Sequence, residues 1–503
     1  MDSMANIALG FQTALGLSTL LACMAGVLLG TFIGVLPGMG PMAAISILLP
    51  LTFYLQPTDA LVMLAGIYYG TQYGGSTASI LLNLPGTSTS VVTCLDGYPM
   101  AQQGRAGLAL FITTIASFFG ATIAIIVMTI CAPLLARVAL GFGSPEYFSM
   151  MVLGLVAAST ISAESPLRGL AMVVFGLLLG MVGTDVMSGE RRFVFGLQPL
   201  FDGISLVPIA MGLFGVAEVV ANYARPREAA TARRISWRSM VPSRSEMKSS
   251  VGPALRGTAV GVGFGILPGT GSAIASFIAY ALEKRVSKDP SRFGRGAIEG
   301  VVAPEASNNA AAQAAFIPTM TLGIPGDGVM ALMLAALMIH GIIPGPGVIT
   351  SNPELFWGLI ASFWIGNLLL LILNIPLIGI WVRMLSIPYH VLAPSILFFM
   401  CIGAFSIRNL SFDVFLVIVF GAVGVAMMRM RLPAAPVLLG FILGPLIEEH
   451  LRRALLIARG DLSVFFTQPV SGAFLCMAIF LTIWSLTAAP RQRMRERRLG
   501  AGA

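Results

Sequence analysis

Two short segments carry the residues best suited to chemistry. Residues 30–41 read GTFIGVLPGMGP and residues 261–272 read GVGFGILPGTGS. In each, an apolar run ends at Leu-Pro-Gly-x-Gly. Pro37 and Pro268 remove a backbone donor and push the residue before them out of the helical region. Gly38, Gly40, Gly269 and Gly271 permit conformations closed to other residues. Pro41 suits the first turn of a new helix, and Ser272 suits its cap. The spacing predicts a broken helix, or re-entrant hairpin, with unpaired amides where the second piece begins. Such a start attracts anions through its free N–H groups and its dipole. In a bilayer, a break of this kind is tolerated only where it is buried in protein or lines a wet cavity. A simple kink or a close helix crossing is the bland alternative, and it accounts poorly for two copies at matched places.

A second polar set follows each motif. In the first half it includes Tyr68, Tyr69, Gln72, Ser76, Thr77, Ser79, Asn83, Thr87 and Ser88. In the second it includes Glu305, Ser307, Asn308, Asn309, Gln313, Thr319, Thr321 and Asp327. Hydroxyls and amides suit carboxylate oxygens, or replace the hydration shell of a small cation. Interhelical hydrogen bonding explains a few of these groups and not a cluster this dense. Together with the two Pro-Gly motifs, Ser76, Thr77, Asn83, Thr87, Ser88, Asn308, Asn309, Thr319 and Thr321 are the expected substrate-binding groups. Ser79, Gln313 and Asp327 are the expected coupling-ion groups. A helix start contributes about 0.3–2 kcal/mol to a carboxylate, whereas burying an unpaired carboxylate costs far more. Two helix starts therefore cannot hold a di- or tricarboxylate alone; co-bound cations, several hydroxyl donors, retained water or an Arg must help, which motivates coupling to Na⁺ or protons. Asp96, Asp185, Glu305 and Arg105 are further candidates if they lie within the membrane.

The elements that position these residues follow from composition. Of 503 residues, 56% are apolar and 10% are charged, whereas a soluble domain carries about 25% charged residues. Lipid must solvate much of the surface. Continuous apolar runs near 11–36, 106–136, 145–163, 166–185, 354–382, 388–407, 411–428 and 464–488, with interrupted ones at 41–82, 205–222, 252–282 and 297–345, predict an all-α polytopic fold. The central expectation is about 12 transmembrane helices, since each span needs about 20 residues. No cleavable signal sequence is evident, because no basic segment precedes the first apolar run. The net charge of +8 reads as the positive-inside bias of a bacterial inner-membrane protein, not as nucleic-acid binding. Five scattered cysteines read as packing residues.

The chain divides into a first repeat (1–224), a basic linker (225–250), a second repeat (251–460), and a final helix with an Arg-rich tail (461–503). Six of twelve positions match between the two Pro-Gly segments at an offset of 231. Weaker echoes pair Asn83-Leu84-Pro85-Gly86 with Gly323-Ile324-Pro325-Gly326, and Gly212 and Gly215 with Gly440 and Gly444. The loop at 283–295 holds five basic residues, while residues 1–104 hold none. That asymmetry favours inverted repeats, as in many secondary transporters, with the linker and the C-terminus cytoplasmic. Arg452, Arg453 and Arg459 run against it.

The LPGxG pair, Tyr-Gly-Gly-Ser-Thr at 73–77, Asn-Leu-Pro-Gly-Thr at 83–87, Pro-Glu-Ala-Ser-Asn-Asn at 304–309 and Gly-Ile-Pro-Gly at 323–326 together resemble one family, the large membrane subunit of the tripartite tricarboxylate transporters. The resemblance extends over nearly the whole chain. It implies a secondary, cation-driven importer of organic carboxylates, working in the lipid bilayer with a small membrane subunit of about four helices and a periplasmic solute-binding protein. It further implies that residues 37–40, 268–271, 73–90 and 304–327 form the substrate and ion pathway. A stand-alone ion-coupled carboxylate transporter is the nearest rival. An aspartyl intramembrane protease at Asp327 fits poorly, because Ile324 replaces the first Gly of that motif. The expectation is a transporter with no catalytic residues and no cofactor beyond the coupling ion.

Overall fold

The computed structural model describes residues 3–36, 38–161, 165–185, 187–223, 239–267, 270–385 and 389–500. Pro37, Pro268, Gly269 and most of the 225–250 linker lie outside them. Among the described residues the fold is helical apart from one small antiparallel hairpin, β1 (Gly183–Thr184) with β2 (Arg191–Arg192). Six helices among the described residues are long and apolar enough to cross a membrane: Leu17–Val35, Val91–Ala139, Leu206–Tyr223, Pro353–Asn374, His390–Arg408 and Ser411–Arg429. Shorter apolar helices span 41–52, 166–180, 328–339 and 469–485. Large apolar side chains point outward along several of these, including Ile130, Phe398, Phe399, Ile418, Phe480 and Trp484. On a soluble protein such a surface would aggregate. On a multi-pass membrane protein it meets lipid.

The first half opens with α1 (Ser3–Ala14) and α2 (Leu17–Val35). The run read as one span over 11–36 is thus two helices, parted at Leu15–Gly16. After the Pro-Gly break comes α3 (Pro41–Thr52), with Pro41 in its first turn. Then follow α4 (Pro57–Leu82), α5 (Val91–Met100) and α6 (Ala106–Ala139). Gly104, at φ +82°, kinks the α5–α6 junction. α7 (Ser144–Ile161), α8 (Pro166–Gly180) and α9 (Leu206–Tyr223) complete this half.

The second half runs through α10 (Arg244–Ile266), α11 (Gly271–Val286), α12 (Glu299–Ala314), α13 (Phe316–Leu322) and α14 (Gly328–Ile339). It continues with α15 (Pro353–Asn374), α16 (Ile378–Met384), α17 (Tyr389–Arg408), α18 (Ser411–Arg429) and α19 (Ala435–Ile457). α20 (Pro469–Gly500) ends the described chain. The run expected over 354–382 stops at Asn374, just before Pro376. A capping box of Ser243 with Glu246 starts α10, satisfying two amides that would otherwise lack partners. α4, α10 and α19 are long enough to span but carry too many polar or charged groups to join the six most apolar helices.

Two glycine ladders set the interior. A methyl group on Gly26, Gly30 or Gly34 of α2 would collide with the carbonyl of Met63, Ile67 or Thr71 of α4. A methyl group on Gly257, Gly261 or Gly265 of α10 would collide with that of Ala303, Ser307 or Ala311 of α12. Small residues at four-residue spacing let the backbones touch. In each ladder the numbers rise together, so the paired helices are parallel. α15 runs parallel to α4, placing Asn367 2.9 Å from the Tyr73 hydroxyl. α6 runs parallel to α12, with Gln103 against Arg295 and Gly120 against Ala306. Asn367 of α15 also bonds the Phe118 carbonyl and Thr122 of α6, while Trp357 and Ala361 share a cavity wall with Ile126 and Ile130. α6 and α15 are therefore antiparallel. The α2–α4 pair thus points opposite to the α10–α12 pair.

The last helix of each half packs on the other half. α9 lies against α18, with Gly212 at Phe420 and Gly424 at Leu213. α19 lies against α8, with Gly176 at Val437 and Gly440 at Val173.

Candidate functional site

The first break turns at Gly38, which has φ +79°. Leu36 leaves the helix in extended conformation, and the Gly38 amide reaches the Pro85 carbonyl at 3.3 Å. Pro85 belongs to the break between α4 and α5, so the two interruptions of the first half support each other. Gly86 lies against the Gly34 carbonyl and Gly75, where a side chain would not fit. From across the fold, Asn222 of α9 donates to the Gly38 carbonyl at 2.7 Å. Glu218 of α9 accepts from the Gly40 amide at 3.2 Å. The anion-seeking start of α3 is thus already met by a carboxylate of the chain's own, a pairing the dipole favours.

The second break differs. Gly271 has φ +64° and opens α11, one residue before the expected cap at Ser272. Thr270 occupies the cap position but turns its hydroxyl back to the Phe264 and Leu267 carbonyls. No side chain caps α11. Arg256 of α10 grips Glu283 of α11 at 2.6 and 2.9 Å, closing the two helices as a hairpin. Asp327 caps α14 by accepting from the Met330 amide at 2.9 Å, and its Cβ lies 3.6 Å from where a side chain on Gly271 would begin. The next residue, Gly328, packs on Met42 at the start of α3. Asp327 and Gly328 therefore bridge the start of α11 to the start of α3.

Between these parts lies a set of buried polar groups without partners. The Tyr68 hydroxyl faces Ser272, Gln72 and Asp327 but completes no hydrogen bond to any of them. Both polar atoms of Asn308 are unpaired, as are Ser307 Oγ and Gln72 Nε2, while the Tyr69 hydroxyl faces Gln313. An unpaired buried polar atom costs about 1–3 kcal/mol. This concentration falls on α4 and α12, one helix of each ladder.

The other expected residues divide. Ser76 donates to Glu305 at 2.7 Å, and Thr77 is buried close by on α4. Asn309 bonds the Glu305 carbonyl at 3.1 Å. Thr87 joins Thr89 and Ser90 in a hydroxyl network that reaches Gln72. Ser79, Thr319 and Thr321 bond carbonyls of their own helices, at Gly75, Ala315 and Ile317. Asn83 ends α4 in the left-handed conformation and is exposed, as is Ser88. Asp96 accepts from the amides of Gly294, Gly296 and Ala297 and from Tyr280, pinning the loop before α12. Arg105 pairs with Glu246. Neither faces the breaks. Glu218, Asn222, Thr93 and Ser117 were not singled out from the sequence. Glu218 sits 178 residues from its partner, and no local spacing signals such a contact.

At one end of the bundle, a cavity of about 670 Å³ opens between α8, α14 and α19. Arg192 forks onto Glu448 at 2.9 and 3.1 Å, and Arg452 reaches Asp185 at 2.8 Å. Ser188, the Met187 amide and Arg452 hold the Asp185 carboxyl well below the usual carboxylate range. Arg453 pairs with Glu449. The basic residues that ran against an inverted arrangement are thus largely neutralised by acids.

Residues 20–439 match the model of the tripartite tricarboxylate transporter TctA family. The chain belongs to the TctA family. It is 51% identical over 496 residues, 98% of both chains, to an Agrobacterium vitis protein described as an uncharacterized 52.8 kDa protein in the TAR-I ttuC' 3' region. It is also 56% identical over 229 residues to an uncharacterized protein in the TAR-II ttuC' 3' region of the same organism; that match takes 46% of this chain and 95% of the relative. TctA proteins are components of tricarboxylate transporters. The family region includes both Pro-Gly breaks, the ladder helices and Glu305, and it ends within α19.

Proposed function

We propose that the chain is the permease subunit of a bacterial inner-membrane importer that moves di- or tricarboxylates by secondary active transport. A Na⁺ or proton gradient drives it, a periplasmic binding protein delivers the substrate, and a small membrane subunit completes the complex. The observation that carries this reading is the meeting of the two interrupted hairpins at Asp327, Gly328 and Tyr68, with the open polar atoms of Asn308 on α12, the helix that α11 meets at Ser276 and Pro304. An organic carboxylate would take the uncapped amides of α11 and the Asn308 amide group, with Ser272 and Tyr68 as hydroxyl donors. Substrate charge left over after these neutral donors requires a co-bound cation.

Two halves with opposed ladder pairs suit an inverted repeat, the arrangement of many alternating-access carriers. Sidedness follows from the basic loop at 283–295, which is placed in the cytoplasm with the linker and C-terminus. The hairpins are held unequally. Asn222 and Glu218 of α9 latch the first, while Glu448 and Glu449 at comparable places on α19 turn to arginines instead. Such inequality is expected of one state in an alternating cycle.

The test is uptake of radiolabelled organic acids by proteoliposomes holding the permease and its small subunit, with and without the binding protein. Accumulation that needs the binding protein and an ion gradient is the expected result. Accumulation without the binding protein would favour a stand-alone transporter. Failure to move any organic acid in the complete system would remove the reading.

A further inference from the structure

Glu305 is a carboxylate buried to 1% exposure near the middle of α12. Its oxygens accept hydroxyl hydrogens from Ser76 of α4 at 2.7 Å, Ser117 of α6 at 3.2 Å and Thr93 of α5. Among the described residues, no Lys, Arg or His pairs with it. Three other deeply buried carboxylates are answered differently, whereas Asp59, at 6% exposure, takes a single hydroxyl from Thr19. Glu283 has Arg256, Asp413 has Arg408, and Asp96 has three backbone amides. Leaving a carboxylate bare at this depth costs several kcal/mol, so a positive charge is needed.

The donor chemistry says which kind. A hydroxyl can donate to a bare carboxylate, or rotate and offer its oxygen to a cation. An amide N–H or a guanidinium cannot. Three hydroxyls and a carboxylate from four helices form an all-oxygen cage for a hard monovalent cation.

We propose that Glu305, Ser76, Thr93 and Ser117 form the coupling-cation site, occupied by a proton or Na⁺. This rests on the reading of the chain as an ion-coupled carboxylate permease, and it moves the ion away from the expected Ser79, Gln313 and Asp327. Ser79 bonds its own helix and Asp327 caps α14. Linkage to substrate runs along one turn of α12. Asn309 bonds the Glu305 carbonyl, and Asn308 beside it is open. The titratable groups facing Glu305 are Tyr73 of α4 and Cys94 of α5. Asp96 lies a turn further along α5 on its three amides, and α10 and α11 contribute the Arg256–Glu283 pair. α6 carries no titratable residue between Arg105 and Cys131, and α13 carries none.

The experiment uses the complete complex in proteoliposomes, together with ²²Na⁺ binding to the purified permease. Glu305→Gln removes the charge and keeps the shape. Uphill accumulation should fall to the level of protein-free vesicles. If the ion is Na⁺, wild type binds ²²Na⁺ and Glu305→Gln does not. If it is a proton, neither binds ²²Na⁺, and only wild type carries protons inward with substrate. Ser117→Ala, which keeps the charge, should change cation affinity about tenfold, the value of one hydrogen bond to a charged group: weaker for Na⁺, which loses a ligand oxygen, and tighter for a proton, because the bare carboxylate loses a donor. Uphill accumulation by Glu305→Gln at the wild-type level overturns the assignment. If that variant does not purify, unchanged ion dependence in Ser117→Ala overturns it. Wild-type transport indifferent to both gradients removes the ion-coupled reading itself.

Discussion

Asn308 separates a ligand-binding role from a structural one. Neither of its polar atoms has a partner, although the residue is 1% exposed. A structural asparagine, when truncated, strands its partners and costs stability. Asn308 has none to strand. Asn308→Ala is therefore expected to leave the thermal midpoint of the purified permease unchanged or raised, and to raise KM for the transported acid about tenfold. Uptake kinetics and a melting curve on the same preparation check both halves. Asp185 yields a prediction of opposite kind. Its carboxyl is held below the usual range by Ser188, the Met187 amide and Arg452, so its stabilisation is complete above the ordinary value of about 3.9. It is lost only as pH falls through the lower folded value. The difference in melting temperature between wild type and Asp185→Asn should stay constant from about pH 7 to 5 and shrink only below about 4.

The breaks were legible at the scale of elements because proline and glycine act locally. α2 ends at Val35 and α3 starts at Pro41, while α10 ends at Ile266 and α11 starts at Gly271. The cap at Ser272 was misplaced because Thr270, one residue before the helix, already holds that position. What local pattern could not supply is the partner of each break. Glu218, Asn222, Thr93 and Ser117 lie on helices that reach the site only through packing, and their sequence neighbourhoods are ordinary apolar helix. Glycine substitutions separate backbone need from simple smallness. Gly38 and Gly271 have positive φ, and a side chain on Gly38 would strike Asn222. Gly263 of α10 faces open space. Gly38→Val and Gly271→Val are expected to abolish uptake while the protein still inserts, and Gly263→Val to transport normally. Membrane-fraction blots and uptake assays decide.

At the scale of the whole molecule, the proposed duplication rests on six matched positions, while its proposed direction rests on charges spread over distant loops. The opposed ladder pairs suit the inverted arrangement proposed above, and Arg452 and Arg453, whose charges run against it, pair with Asp185, Glu448 and Glu449. Sidedness can be measured. In a cysteine-free background, a cysteine at exposed Tyr54 should react with an impermeant maleimide added from the periplasm. A cysteine at Lys288 should react only after the membrane is opened. Reaction of both from the same side would mean that the halves are not inverted.

The most direct measurement is a density map of the permease in lipid nanodiscs, saturated with a transported organic acid. The expected density touches the start of α11 at residues 271–272 and the Asn308 side chain, with Tyr68 and Asp327 beside it. Density confined to the arginine-lined cavity between α8, α14 and α19, or a lipid tail between the two breaks, would contradict the account.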